Sequence, residues 1–247
     1  MSILALYNIK GGVGKTATSV NLAFLAAQEG AKTLLCDLDP QGSASFYFRT
    51  RAAKKFNSKR LIKGGNKIEK GIRGTDFDNL DILPADFSYR NLDIILDNLK
   101  NPKKRLTQIL NPFRQEYKYI FLDCPPNITL LSENIFRAAQ VLLIPIIPTT
   151  LSVVTFEKLL KFFIDKNLDQ LKLYPFFSMV EKRKILHRKF MEDLSTQNPH
   201  ILSNFIPYMS DIEKMGLYRE PVAVFKSNSR AAGSYLRLWR EVKERAL

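Results

Sequence analysis

The sequence predicts an α/β protein in which helices cover both faces of a doubly wound, mostly parallel sheet. Short apolar runs alternate along the chain with segments of helical periodicity, as in parallel strands joined by crossover helices. Polar and acidic residues follow several of these runs directly, where ligands bind in such sheets. The predicted strands are 3–7, 33–38, 80–83, 119–123, 141–145, 174–180 and 201–206. The predicted helices are 16–29, 90–99, 103–115, 130–138, 153–166, 187–197 and 230–246.

Length and composition favour one domain over residues 1–247. A chain of 247 residues that is 45% apolar can bury a sizeable single core. One segment breaks the alternation of strands and helices: residues 49–73 carry ten basic residues and a single acid, Glu69. We expect a basic loop excursion at about 49–75, and its role stays open between a functional surface and a solvated insertion.

The charge balance favours a polyanionic partner. The formal net charge is +14, which points to nucleic acid first, an anionic membrane surface second, and a solvated surface without a partner as the alternative. No apolar run approaches the roughly 18 residues needed to span a bilayer, and no signal peptide precedes the first strand, so we expect a cytoplasmic protein. Cys36 and Cys124 lie in apolar runs and give no zinc or iron–sulfur spacing.

A glycine-rich turn connects the first predicted strand to the first predicted helix. Residues 9–16 read Ile-Lys-Gly-Gly-Val-Gly-Lys-Thr, a pattern that cradles phosphate on backbone N–H groups at a helix N-terminus. Lys15 then reaches the terminal phosphates, and the Thr16 hydroxyl ligates Mg²⁺. Ile9 replaces the first glycine of the common pattern, and a second lysine, Lys10, lies at the mouth of the loop. The predicted phosphate-loop contacts are Gly11, Gly12, Val13, Gly14, Lys15, Thr16 and Ala17.

Three acids close predicted strands. Asp37 and Asp39 stand in the run Asp-Leu-Asp-Pro-Gln at the end of the second strand, and the alternation of a strand places them on the same side. Unpaired buried carboxylates are costly, so we expect them to face metal, water or a lysine. Asp123 closes the strand 119–123 and suits the acidic partner of a phosphate loop that holds Mg²⁺; its alternative role is a turn or cap residue.

Taken together, the three motifs resemble the ParA/MinD family of deviant Walker-box ATPases, and the Asp-x-Asp-Pro-Gln form fits the ParA branch. The resemblance covers nearly the whole chain and is closest to the short, Soj-like members without an N-terminal helix-turn-helix extension. It implies a P-loop NTPase fold and Mg²⁺-dependent hydrolysis of ATP to ADP and phosphate, with Lys10, Lys15 and Asp39 as the catalytic residues.

The resemblance also implies individual roles. Lys10 corresponds to a signature lysine that crosses to the partner's phosphates in a nucleotide-sandwich dimer, and Asp39 to the residue that orients the attacking water. Thr16, Asp37 and Asp123 correspond to the magnesium site, with Asp37 in an outer position. Pro207 and Met209 resemble the loop that packs on the adenine ring. Ala17 departs from the family, which commonly has a threonine there.

The implied function is a cycle. An ATP-bound homodimer binds non-specific DNA on the nucleoid, and a ParB-like or adaptor protein stimulates hydrolysis, which positions a DNA or protein cargo. The implied DNA contacts lie near or on the basic C-terminal helix at about 230–246: Arg219, Lys226, Arg230, Arg237 and Arg240. The main alternative is a MinD-like ATPase whose C-terminal helix cycles on and off a membrane. Weaker alternatives are a metabolic or reductase relative and a nucleotide-binding scaffold without turnover.

Overall fold

Seven strands form one sheet in the computed structural model, which describes residues 1–170 and 172–247, the side chain of Asn66 excepted. The strands run β3-β4-β2-β5-β1-β6-β7 across the sheet, and every neighbouring pair is parallel except β3–β4. The predicted α/β class and its mostly parallel sheet are therefore confirmed. The strands are β1 Ser2–Leu6, β2 Thr33–Asp37, β3 Arg73–Gly74, β4 Leu80–Leu83, β5 Tyr119–Asp123, β6 Val141–Ile146 and β7 Leu173–Phe177.

Helices cover both faces of the sheet and bury an apolar core on each. One core packs under α3 to α8, and the other packs under α1, α2 and α12, where Trp239 is fully buried and meets Tyr119 edge-on. The helices are α1 Lys15–Gln28, α2 Ser43–Tyr47, α3 Ser58–Lys63, α4 Leu92–Asp97, α5 Arg105–Leu110, α6 Leu130–Ala138, α7 Thr150–Asp165, α8 Ile185–Gln197, α9 Ser210–Glu213, α10 Met215–Tyr218, α11 Val222–Phe225 and α12 Arg230–Ala246.

The register of the central strands positions the candidate site. β5 lies between β1 and β2, so Asp123 pairs with Leu6 on one side and with Asp37 on the other. The chain leaves β1 directly into the glycine-rich turn and then α1. Because parallel strands end at the same edge, the turn and the two aspartates meet at the carboxyl edge of the sheet.

The predicted strand over 201–206 is wrong. The segment makes only isolated bridges, Leu202 with Phe176 and Pro207 with Val180. Between them, the Glu241 carboxylate of α12 accepts hydrogen bonds from the backbone N–H groups of Ser203 at 2.6 Å and of Asn204 at 2.8 Å. A side chain therefore takes the place of a strand ladder, which the alternation of apolar residues cannot reveal.

The helix predicted over 103–115 is also broken. α5 covers only its middle, and 3-10 turns at Pro102–Lys104 and Asn111–Arg114 flank it, because a proline near each boundary cannot continue an α-helix. The basic excursion at 49–75 is not loop throughout, since it contains α3, two 3-10 turns and the edge strand β3. Its short elements, and α2, α9, α10 and α11, fall below the length at which periodicity is readable.

Candidate nucleotide-binding site

The glycine-rich turn presents backbone N–H groups at the N-terminus of α1. Gly14 is the residue before the helix, and no side chain caps the helix at this end. Its φ of 90° is a left-handed conformation that favours glycine, as is the φ of 70° at Gly12. A Cβ built on Gly14 would also lie 3.0 Å from the Ser178 hydroxyl oxygen. The uncapped N–H groups and the positive end of the helix dipole suit a phosphate.

The two lysines of the turn point in different directions. Lys15 is buried, and its Nζ donates to the backbone oxygen of Lys10 at 3.1 Å. Burial lowers the pKa of Lys15, and the carboxylate of Asp123 offsets part of that effect. Lys10 is half-buried, and its Nζ lies 3.4 Å from the Ser152 hydroxyl at the start of α7. The Lys15 side chain thus points into the loop, whereas the Lys10 side chain points away from it.

A cavity of about 380 Å³ opens beside the turn. A second, smaller cavity of about 80 Å³ shares Gly14, Ala17 and Met179 with it and contains both Pro207 and Met209. The residues predicted for the phosphates, the attacking water and the adenine therefore surround one continuous depression. The larger cavity is lined by Gly11, Gly12, Val13, Gly14, Lys15, Thr16, Ala17, Asp39, Gln41, Ser43, Tyr47, Pro126, Met179, Ile212 and Glu213.

Several lining residues escaped the sequence analysis. Met179 borders both cavities and has a φ of 54°, which is unusual for a residue with a side chain. Tyr47 and Ile212 complete the apolar part of the larger wall. None of the three belongs to a motif, and each reaches the site from a different segment. Only the tertiary structure brings them together.

Asp37 and Asp123 form a buried pair beneath the turn. Both are fully buried and stand opposite each other on β2 and β5. Ser45 donates to Asp37 Oδ2 from its backbone N–H at 2.8 Å and its hydroxyl at 2.6 Å, and the Ser19 hydroxyl donates to Asp123 Oδ1 at 3.0 Å. The remaining oxygens, Asp37 Oδ1 and Asp123 Oδ2, have no hydrogen-bond partner among the described residues.

Burial dominates the acidity of this pair. It raises the pKa of Asp37 to about 6, against the hydrogen bonds from Ser45. Burial first and then the charge of Asp37 raise the pKa of Asp123 to about 8, against the hydroxyls of Thr16 and Ser19 and the ammonium of Lys15. The apo site therefore disfavours two negative charges side by side. A cation between the two carboxyl groups would stabilise the ionised form of both.

The donor set fits a magnesium ion that shares its ligands with a nucleotide. Two orphaned carboxylate oxygens lie at this strand edge, close to Thr16 at the start of α1. Among the described residues, no group of three or more His, Cys, Asp and Glu side chains can hold a metal alone. Mg²⁺ is commonly held by one or two carboxylates together with substrate phosphates and water, so this shortage is what a nucleotide site requires.

Stability of the apo protein should fall as pH rises between about 4 and 8, because of Asp123. Its folded pKa of about 8 lies above the value near 4 of an unfolded aspartate, so the folded state binds more protons in that window. Asp123→Asn removes the cost of ionising this buried carboxyl group and should raise the melting temperature at pH 8, by about 2–4 °C for each kcal/mol of free energy of unfolding that is regained. The difference in melting temperature between Asp123→Asn and wild type should become smaller towards pH 5.

Thermal melts of wild type and Asp123→Asn at several pH values measure this effect, with the exposed acid Asp97 of α4 mutated to Asn as the matched control. The control should not change the slope of melting temperature against pH. An Asp123→Asn variant less stable than wild type at pH 8 would contradict the interpretation of a costly buried carboxylate.

The basic residues predicted to bind DNA divide into two groups. Arg230, Arg237 and Arg240 are exposed on α12 and pair with no acid among the described residues. Lys226 instead pairs with Asp211 at 2.8 Å, and Arg219 donates to the backbone oxygen of Phe46 at 3.0 Å while stacking on its ring. Arg237 also donates to the Ser234 hydroxyl at 3.2 Å, so Arg230 and Arg240 are the two of the five whose side chains make no described hydrogen bond or ion pair.

The apolar side of α12 packs inside the protein. Leu238 and Trp239 are fully buried, and the Trp239 indole donates to Glu29 at 3.2 Å. No helix among the described residues is long and apolar enough to cross a membrane. The side of α12 that a lipid surface would need is therefore already covered.

The phosphate turn, the strand-end acids and the parallel sheet define a P-loop ATPase of the deviant Walker type, marked by the additional lysine at position 10. A family model described as an AAA domain matches residues 1–173. The sporulation initiation inhibitor protein Soj of Bacillus subtilis is 30% identical over 97% of each chain. A virulence plasmid ParA family protein of Chlamydia psittaci is 29% identical, covering 99% of this chain and 95% of its own. The chain belongs to the ParA/MinD family of deviant Walker-box ATPases, and within it to the ParA/Soj-type partitioning ATPases.

A solved structure supports the fold. The putative plasmid partition protein of Borrelia burgdorferi, determined with bound AMPPNP, superposes with a TM-score of 0.86 at 23% identity over 98% of each chain. At this identity the likeness establishes the fold alone.

Proposed function

We propose that this protein is an ATPase that dimerises on ATP, binds DNA without sequence preference and positions a DNA or protein cargo. One observation carries the proposal. The Lys10 ammonium lies against Ser152 of α7 and does not line the cavity that Lys15 enters. Lys10 lies at the mouth of the turn but does not line the cavity of its own subunit. Its ammonium is therefore suited to bind a phosphate of the nucleotide in a second copy of the chain. The ATP site is then completed only in a homodimer.

Within one subunit, each residue has a distinct task in the proposed hydrolysis. The turn residues 11–17 hold the phosphates on their N–H groups, and Lys15 neutralises phosphate charge. Asp39 lines the cavity half-buried and orients the attacking water. Thr16 and Asp123 would hold Mg²⁺, with Asp37 behind them, and the ion would neutralise charge on the phosphoryl oxygens. Pro207 and Met209 would contact the adenine in the smaller cavity.

The cycle requires two partners besides ATP. DNA is the first, because the net charge is +14, three exposed arginines of α12 pair with no described acid, and phosphate contacts carry affinity without sequence information. Arg219 and Lys226 would join them if their internal contacts open on binding. The second partner is a ParB-like or adaptor protein that stimulates hydrolysis, and the protein would act in the cytoplasm on the nucleoid. The buried apolar side of α12 gives the MinD-like membrane alternative no support.

Binding to a short random-sequence DNA duplex should depend on both ATP and α12. With Mg²⁺ we expect at least about tenfold tighter binding in ATP than in ADP, and a slope of log affinity against log salt of about −0.9 for each phosphate that the protein neutralises. Arg230→Gln, Arg237→Gln and Arg240→Gln combined should remove most of the ATP-dependent part. Gel shifts at about 50 and 200 mM salt measure both quantities.

A matched triple variant on α7 and the residue that follows it tests whether the loss of any three positive charges is enough to weaken DNA binding. Lys158→Gln, Lys161→Gln and Lys166→Gln remove the same number of exposed cations from another helix and should leave the binding unchanged. Equally weak binding of the wild type in ADP and ATP would overturn the proposed cycle.

A further inference from the structure

A second concentration of positive charge lies far from α12 in the sequence. Among residues 51–70 the only acid is Glu69, and none of the cations there forms an ion pair within the described part of the chain. We call this the α3 surface. Its exposed cations are Arg51, Lys54, Lys55, Lys59, Arg60, Lys63, Lys67 and Lys70.

The α3 surface is held in place by the core beneath it. The buried side chain of Phe56 packs so closely over Gly71 that a Cβ there would lie 2.6 Å from the ring. Arg105 of α5 clamps the end of α3, donating to the backbone oxygens of Ile62 and Lys63 at 2.7 Å each. The cations are therefore presented on an anchored segment, which lowers the conformational entropy lost on binding.

The charges on this surface oppose one another. The neighbouring ammonium of Lys63, followed by the charges of Arg60 and Lys70, lowers the pKa of Lys67. Clustering of like charges disfavours the folded state and is relieved when an anion binds. None of the described acids forms an ion pair with these cations, so an anion bound from outside would supply the counter-charge.

The surface chemistry selects among polyanions. A lipid surface is bound by apolar side chains that insert beside the cations, yet no large hydrophobic residue between 51 and 73 is exposed. Single-stranded nucleic acid is bound by aromatic stacking, yet the one aromatic residue of the segment, Phe56, is buried. Lysines and arginines without either accompaniment suit the phosphate backbone of a duplex.

The position of the α3 surface separates it from α12. Leu61 and Ile62 of α3 pack into the core on one face of the sheet, and Leu238 and Trp239 of α12 pack into the core on the other. A straight duplex lying on α12 does not reach the opposite face of the sheet, and bending DNA around the protein is costly. Two DNA segments satisfy this geometry better than one.

We propose that the α3 surface is a second DNA-binding surface, which holds the backbone of a duplex segment different from the one on α12. This proposal depends on the proposed function in one respect, which is that DNA is a partner of the protein. Its residues do not line the nucleotide cavity, so removing these charges should leave ATP affinity unchanged.

The test compares three triple variants of the full chain on a random-sequence duplex. Lys63→Gln, Lys67→Gln and Lys70→Gln alter exposed side chains that make no described bond to an acid or to the backbone, so folding should be preserved, and unchanged affinity for a fluorescent ATP analogue verifies it. We expect DNA affinity at low salt to fall roughly tenfold and the salt slope to become shallower by about 0.9 for each phosphate that is no longer neutralised. The α12 triple variant should weaken binding separately, and combining the two should give the sum of both effects in log affinity. The α7 variant Lys158→Gln, Lys161→Gln and Lys166→Gln should change neither quantity.

The outcomes separate this inference from the proposed cycle. Affinity and slope unchanged by the α3 variant would overturn the second surface, whatever α12 does. Loss of binding to anionic phospholipid vesicles, with DNA binding intact, would replace it with a membrane surface. If wild type binds equally in ADP and ATP while the α3 variant still weakens binding, the cycle fails and the second surface stands.

Discussion

Asp39→Ala should abolish ATP hydrolysis and leave ATP binding intact. Phosphoryl transfer depends on positioning, so losing the carboxylate that orients the attacking water should lower kcat by roughly 10²–10⁴. The side chain lines the cavity beside the turn and is not part of the turn itself. Affinity for a fluorescent ATP analogue should therefore stay within about threefold, a change of well under 1 kcal/mol. Phosphate release with Mg²⁺, DNA and saturating ATP measures the loss.

The local structure around Asp39 calls for two controls. Asp39 Oδ1 accepts from the backbone N–H of Gln41 at 2.9 Å, so the carboxylate also shapes the turn after β2. Asp39→Asn keeps that acceptor and removes the charge, and it should be as inactive as the alanine variant. Asp86→Ala removes a carboxylate with the same kind of contact, to Ser88 at 2.9 Å, away from the nucleotide cavity, and it should stay active. An active Asp39→Asn would assign Asp39 to shaping the turn.

The strand-end rule indicates from the sequence which residues meet at the phosphate edge of the candidate site, because each of them lies next to the end of a strand. Asp37 and Asp123 close apolar strands, Lys15 follows the turn that leaves β1, and parallel strands bring such ends together. The meeting of the two aspartates across β2 and β5 follows from the order of the strands, which the structure shows and the sequence analysis does not predict. The depth at which the two aspartates are buried cannot be predicted from the sequence, because it depends on how the core packs on both faces of the sheet.

The adenine end of the site was less accessible from the sequence. Pro207 and Met209 were predicted from the family resemblance alone, and the structure places them at a cavity whose other wall includes Met179. The stretch just before them, 201–206, is predicted from the sequence to be a strand, but the Glu241 carboxylate accepts the backbone N–H groups of Ser203 and Asn204. Long-range contacts of single side chains leave no periodic signal, which is why both features required the structure.

Lys10→Ala should disable the enzyme while preserving the phosphate turn. The backbone of Lys10 makes the structural contacts: its N–H donates to Asn8 Oδ1 at 2.9 Å, and its oxygen accepts from Lys15. Alanine keeps both. The ammonium makes one long contact, to Ser152, so ATP affinity of the monomer should be nearly unchanged. If Lys10 acts on the partner's phosphates as an arginine finger does, kcat should fall by about 10³ or more.

Light scattering with saturating ATP should show weaker dimerisation of Lys10→Ala that recovers at high protein concentration. Ser152→Ala, which removes the resting contact of the ammonium together with a hydrogen bond from the Thr149 hydroxyl, should dimerise as wild type does. Lys10→Arg keeps a cation and should recover part of the activity. Normal turnover by Lys10→Ala would refute a role for the lysine in a shared site.

Mixing two inactive variants tests whether the lysine works across the interface. In a heterodimer of Lys10→Ala and Asp39→Ala, one site combines the intact Asp39 of the first subunit with the intact Lys10 of the second, and the other site has lost both residues. At a protein concentration where both variants are dimeric, random pairing makes half of the dimers mixed, so activity should return to about a quarter of wild type for a two-fold symmetric dimer. If Lys10 acted within its own subunit, every site in the mixture would lack one residue, and no activity would return. Recovery on mixing therefore distinguishes a completed dimer site from a merely weakened monomer, which the single variants cannot do.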